Sequence, residues 1–146
     1  MTMENTKQLL TFILNNEVYG VDILRIQEIK DVERCTPIPN TPEWTLGVIN
    51  LRGSVVPVFD LRKMFFDYES DKGVIIVLRV DNNGKTKVVG IVVDSVSNTE
   101  FANLDELQPA PKKDGEAKNV FVEGLVSIDG RMVILTDIDK IDFFRE

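Results

Sequence analysis

Gly47-Val-Ile-Asn-Leu-Arg-Gly-Ser-Val-Val-Pro-Val-Phe-Asp-Leu-Arg-Lys-Met64 is the stretch whose reading decides the fold. It reads as a strand, a tight turn, a second strand and a short helical turn. Ile49 and Leu51 share one face of the first strand; Val48, Asn50 and Arg52 share the other. Arg52-Gly53 falls where a two-residue hairpin loop belongs, because Gly53 adopts positive φ without a Cβ clash. Pro57 cannot donate to a ladder, which predicts an edge or a bulge in the second strand.

The same pattern returns at Gly124-Leu-Val-Ser-Ile-Asp-Gly-Arg-Met-Val-Ile-Leu-Thr-Asp-Ile-Asp-Lys-Ile141. Gly47 aligns with Gly124, Gly53 with Gly130, Val56 with Val133, Asp60 with Asp137 and Lys63 with Lys140. Asp129-Gly130 is the stronger turn signal of the two. The chain is therefore an internal repeat, and the repeat has to be read before the fold.

Upstream of each copy the chain also repeats itself. Gln8 to Leu14 and Val18 to Val21 are strand-forming runs around Asn15-Asn16-Glu17. Val74 to Val80 and Lys87 to Val93 are the same around Asn82-Asn83-Gly84. Gly20 and Gly90 take equivalent places. Asp22 to Arg25 suits one helical turn. Ile26 to Val32 alternates as a strand, although Ile23, Ile26 and Ile29 also keep near-helical spacing; strand is preferred. Ser95 to Glu100 is the counterpart of Arg25 to Lys30. Pro37, Pro39 and Pro42 mark an irregular connector, and Pro42-Glu43-Trp44 a short helical turn. Leu61 to Phe66 reads as a brief helix. The polar run 67–73 is the expected boundary between lobes, and 102–119 is a second, longer connector. Each half thus offers about five short strands, which predicts an all-β fold of two small barrels with a groove between them. The expected lobes are about 16–68 and 73–142, with the strand 8–15 assigned to neither.

Composition narrows function. The chain has 146 residues, 43% hydrophobic, with formal charge −7, no histidine and one cysteine. That suits one globular unit. An acidic chain without a basic block is a poor partner for nucleic acid or anionic membrane. Without histidine it lacks the commonest general base and metal ligand. A lone Cys35 forms neither an intrachain disulfide nor a zinc cluster. No run reaches membrane-spanning length, and the polar start is unlike a signal peptide. No cofactor, metal or catalytic residue is expected. Asp60 and Asp137 invite comparison with aspartic proteases, but neither lies in an Asp-Thr/Ser-Gly motif; capping a helical turn is the expected role. A carboxylate-based hydrolase and an unrelated barrel binding peptide or small ligand are the rival readings.

Along its whole length the chain resembles the CheW family, the coupling proteins of bacterial chemotaxis. The resemblance rests on Tyr19-Gly-Val-Asp-Ile-Leu-Arg-Ile-Gln-Glu-Ile29, Asn40-Thr-Pro42, Gly47-Val-Ile-Asn-Leu-Arg-Gly53, Val56-Pro-Val-Phe-Asp-Leu-Arg62, Val89-Gly-Ile-Val-Val-Asp-Ser-Val96 and Pro109-Ala-Pro111. It implies two five-stranded SH3-like barrels and a cytoplasmic, non-catalytic adaptor recruited to membrane receptor arrays. The implied partners are the cytoplasmic tips of methyl-accepting chemoreceptors, the regulatory domain of the histidine kinase CheA, and further family copies in rings. It does not imply insertion into the membrane.

By the same resemblance, Glu28 and Arg52 match a coupled pair important for signalling. They are joined by Ile26, Asn50 and Thr99 in a receptor-binding groove. Cys35, Ile38, Gly47, Gln108 and Lys113 fall to the kinase interface. Two of these depart from the family pattern: Gln108 stands where relatives carry Arg, and Lys113 where they carry an aromatic. On the residues alone, Arg52 in a turn is ordinarily solvated, and Ile26 is as well suited to core as to interface.

Overall fold

The computed structural model describes residues 5–111 and 121–144. Ten strands are described: β1 (Thr6–Leu14), β2 (Glu17–Asp22), β3 (Ile26–Asp31), β4 (Thr45–Leu51), β5 (Ser54–Asp60), β6 (Val74–Asn82), β7 (Lys85–Val93), β8 (Ser95–Asn103), β9 (Val122–Ile128) and β10 (Arg131–Thr136). One helix, α1 (Leu61–Phe66), and 3-10 turns at Ile23–Arg25, Leu104–Glu106 and Ile138–Lys140 complete the set. The strand reading of 26–32 holds; Pro42 to Trp44 makes only a hydrogen-bonded turn, closed by Thr45 N–H donating to Pro42 O at 2.9 Å.

Four two-residue hairpin turns punctuate the chain. Their central residues are Asn15-Asn16, Arg52-Gly53, Asn83-Gly84 and Asp129-Gly130, and all eight have positive φ. This mirror-image turn matches the right-handed twist of the strands it joins.

The strands form two five-stranded sheets, ordered β8-β1-β2-β10-β9 and β3-β6-β7-β5-β4. The all-β, two-lobed expectation is borne out, but the lobes are not the contiguous spans 16–68 and 73–142. Each repeat is a hairpin, a single strand and a second hairpin. The first hairpin of one repeat pairs with the single strand and second hairpin of the other. The two repeats are thereby exchanged, and β1, left unassigned by sequence, lies between β8 and β2. The polar run 67–73 is no lobe boundary, since it joins α1 to β6 beside strands of the same sheet. Turn-rich composition marks a surface loop, not a change of sheet. The chain changes lobe instead at 23–25 and at Asp94.

Exchange buries both faces of several strands. In β6, Ile75 and Val77 point into their own lobe's core, while Ile76 and Leu78 point into a larger cluster shared by both lobes. In β1, Leu9 belongs to the lobe core and Leu10, Phe12 and Leu14 to the shared one. Two-sided burial explains why 74–78 is an unbroken apolar run. The surfaces facing each other across the lobes are fused by this core, in which Phe121 stacks on Tyr19 at 6.4 Å and on Phe65 at 4.3 Å between ring centroids. Among the described residues this shared core fills the space between the lobes there; Ile26 and its repeat equivalent Val96 sit at its margin, half-buried.

Pro57 also differs from expectation. β5 is not an edge strand, for it lies between β7 and β4. Pairing with β7 begins only at Val58, so Pro57 stands just outside that ladder. At Gly20 and Gly90 the two lobes repeat a close approach: a Cβ on Gly20 would come within 2.8 Å of Leu9 Cδ1, and one on Gly90 within 3.1 Å of Ile75 Cγ2.

Candidate functional site

Lobe two, the β3-β6-β7-β5-β4 sheet, brings four of the five predicted groove residues to one rim. β3 and β4 are its opposite edges. The β4–β5 turn curls back to β3, where Arg52 Nη2 donates to Glu28 Oε1 at 2.6 Å. The arginine side chain remains 77% exposed and the glutamate 23%. Arg52 takes φ of +52°, uncommon for a residue with a Cβ. Asn50 holds the turn: its Oδ1 accepts from Gly53 N–H at 2.9 Å. Ile26 pairs with Leu78 across the ladder.

Thr99 is not part of this rim. It lies exposed on β8, opposite Leu10, in a separate recess lined by Asn98, Glu100, Phe101, Ile128 and Asp129. There the first lobe shows a related feature that sequence reading missed. Arg131, just after the β9–β10 turn, donates from Nη2 to both oxygens of Glu100 on edge strand β8, at 2.9 and 2.8 Å. Each lobe thus ties an edge strand to its far hairpin through an Arg–Glu pair. The repeat alignment does not reveal this, because Arg131 aligns with Ser54 and not with Arg52.

The remaining sites are scattered. Cys35 is half-buried against the second lobe's core, and burial together with the Glu33 carboxylate pushes its thiol pKa up. Ile38 is exposed on the connector. Gly47 is buried with φ of +132°, and the Thr36 carbonyl occupies the place its Cβ would take. Its glycine is required by that approach, which lets Thr36 pair with Val48. Gln108 makes the equivalent bridge to Leu125 beside Gly124. Lys113 lies outside the described residues.

The two aspartates that suggested a protease are caps. Asp60 Oδ1 accepts from Arg62 N–H at 2.9 Å and Asp137 Oδ1 from Asp139 N–H at 3.1 Å. Asp60 is further locked by the buried Arg62 guanidinium, whose Nε and Nη2 donate to its two oxygens at 3.0 and 3.1 Å. Arg62 also reaches Asp94 at the crossover, at 3.4 Å. Asp94 in turn accepts from Tyr68 Oη at 2.5 Å, and burial plus this bond raise the Tyr68 pKa to about 12. No group of three or more metal-capable side chains is found among the described residues, and none of the described helices is long and apolar enough to cross a membrane.

Comparison with known proteins converges on one family. Residues 8–142 match the model of the CheW-like domain. The chemotaxis protein CheW of Klebsiella aerogenes is 40% identical over 139 residues, covering 92% of this chain and 81% of that protein. CheW of Thermotoga maritima is 31% identical, covering 92% and 86%. Protein FrzA of Myxococcus xanthus is 31% identical, covering 76% and 68%. The crystal structure of the scaffolding protein TtCheW from Thermoanaerobacter tengcongensis superposes with a TM-score of 0.74 at 33% identity, covering 89% of this chain and 88% of that one.

Proposed function

The chain belongs to the CheW-like family of non-enzymatic chemotaxis scaffolds, and from that premise we propose that it couples chemoreceptor cytoplasmic tips to the histidine kinase CheA. In this reading it alters no bond. It works in the cytoplasm, is recruited to receptor arrays, and lets receptor state control kinase activity.

The observation that supports it best is the Glu28–Arg52 pair. An ion pair this exposed contributes about 0–1 kcal/mol to stability. It holds a strongly polar, preorganised donor and acceptor at a sheet rim beside half-buried Ile26. A helical receptor hairpin presents an apolar stripe flanked by polar residues, and this rim offers the complement. Thr99 on the first lobe lies apart and would meet a different stretch of the same partner. Cys35, Ile38 and Gly47 lie on or beneath the segment that bridges to β4, and Gln108 lies on the segment that bridges to β9 in the other lobe; we assign the kinase contacts to those two ends. Gly47 would act there by seating its connector, being itself buried.

Co-elution of the folded protein with a receptor tip fragment and with the isolated CheA regulatory domain tests this reading. Binding to both is expected. Binding to neither would overturn it in favour of an unrelated ligand-binding barrel.

A further inference from the structure

Strand β3, which carries Ile26 and Glu28, has no fully buried residue; it alternates half-buried and exposed along its length. Within its sheet it has one neighbour, β6. Core packing therefore does not fix its position as it fixes β6 or β7. At its start half-buried Ile26 touches the margin of the shared core, and the rest of the hold is polar. Arg25, the last residue of the turn leading into β3, forks onto Asp139 through Nη1 at 2.8 Å and Nη2 at 2.6 Å. Arg25 Nη1 also donates to Arg79 O at 3.2 Å, and Arg79 Nη2 donates to Leu24 O at 2.6 Å. Asp139 is the hub. Its Oδ1 accepts from Asp81 N–H at 2.8 Å as well. It belongs to the C-terminal turn that follows β10, a strand of the other lobe.

The second crossover carries a looser contact with the charges reversed. Asp139 and Arg62 occupy equivalent repeat positions, each two residues after a capping aspartate. Arg62 is the cation of a pair whose carboxylate, Asp94, sits on the crossover into β8. In Arg25–Asp139 the cation sits on the crossover and the carboxylate on the turn. Each crossover is thus tied to a turn by an arginine–carboxylate contact, two-pronged at one and a single 3.4 Å contact at the other.

We propose that Arg25 and Asp139 are a positioning pair that sets the pose of β3, so that the docking rim of one lobe depends on the C-terminal turn of the other. A two-pronged arginine–carboxylate contact fixes direction as well as distance, which suits an edge strand with no fully buried residue. The role in docking rests on the function proposed above; the role in holding β3 does not.

Two measurements separate these. Amide hydrogen exchange of the isolated protein reads β3 directly: Asp139→Asn should speed exchange across 26–31 by about tenfold or more while β7 and β9 keep wild-type rates. Unchanged exchange at 26–31 would overturn the proposal whatever the partner. For docking, Asp139→Asn should weaken receptor-tip binding by about tenfold and leave CheA regulatory-domain binding unaltered. The swap Arg25→Asp with Asp139→Arg guards against a merely unfolded variant. It should recover most of the protection and affinity lost in either single change, with Asp81 alongside to receive the new arginine. A double variant no better than the singles would refute positioning by this pair. A wild-type protein that ignores the receptor tip, with β3 still loosened by Asp139→Asn, would sink the proposed function and keep the positioning role.

Discussion

Arg52 and Glu28 meet at 2.6 Å although they belong to opposite ends of one sheet, the turn at edge strand β4 and edge strand β3. The contact closes the second lobe at its rim and places a charged pair where a partner can reach it. Arg131 and Glu100 do the same for the first lobe.

Because the first pair is exposed, its loss should separate function from stability. Glu28→Lys sets a cation against Arg52, and Arg52→His removes the reach. Each should shift unfolding free energy by less than about 1 kcal/mol while impairing kinase control. Arg52→Asn relieves some of the cost of φ +52° and gives up the pair, two opposing effects that should cancel to within about 0.5 kcal/mol. Urea unfolding and a receptor-coupled kinase assay on the same samples check this.

The buried counterpart should behave in the opposite way. Arg62 and Asp60 are 2% and 4% exposed. Arg62→Met strands a buried carboxylate and should cost about 3–5 kcal/mol, read as a lower urea midpoint. Arg62→Met with Asp60→Asn should recover part of that loss.

The connectors make a glycine prediction. Gly47→Ala forces Thr36 away from β4 and should cost more than about 2 kcal/mol. Gly53→Ala meets no neighbour and pays only for φ +87°, about 1–2 kcal/mol. Thermal melts of the two variants should rank in that order.

Two titrations link stability to pH. Tyr68 is raised to about 12 by burial and by its bond to Asp94, so its neutral form is favoured by folding. That contribution is complete below the unfolded value of 10.0 and is lost as pH rises through about 12. Tyr68→Phe should flatten the alkaline fall in stability. At Asp139, burial raises the carboxyl, but the Arg25 and Asp81 hydrogen bonds and the Arg25 charge outweigh it, leaving it below the ordinary 3.8. Its contribution is present above 3.8 and lost as pH falls through the depressed value; Asp139→Asn should remove that acid limb.

Much of the local structure was legible. The Arg52-Gly53 and Asp129-Gly130 turns, the strand at 26–31, helix α1 and the capping roles of Asp60 and Asp137 all follow from period, turn chemistry and side-chain reach. The exchange of strands between repeats was not. A repeat says which elements recur, whereas pairing is decided by contacts such as β1 with β8, about 90 residues apart in the chain. The resemblance supplied the Glu28–Arg52 pairing; the spacing of the two residues did not. Arg25 and Asp139 stand 114 residues apart, and neither period nor turn chemistry pairs them; the fold sets them together.

A receptor tip should touch the rim formed by β3 and the β4–β5 turn. Hydrogen exchange of the protein with and without a saturating receptor tip fragment measures that directly. Slowed exchange at 26–31 and at the 52–53 turn, with the β9–β10 turn unaffected, is the predicted result. Binding that leaves both segments exchanging at their free rates would contradict the assignment of that rim.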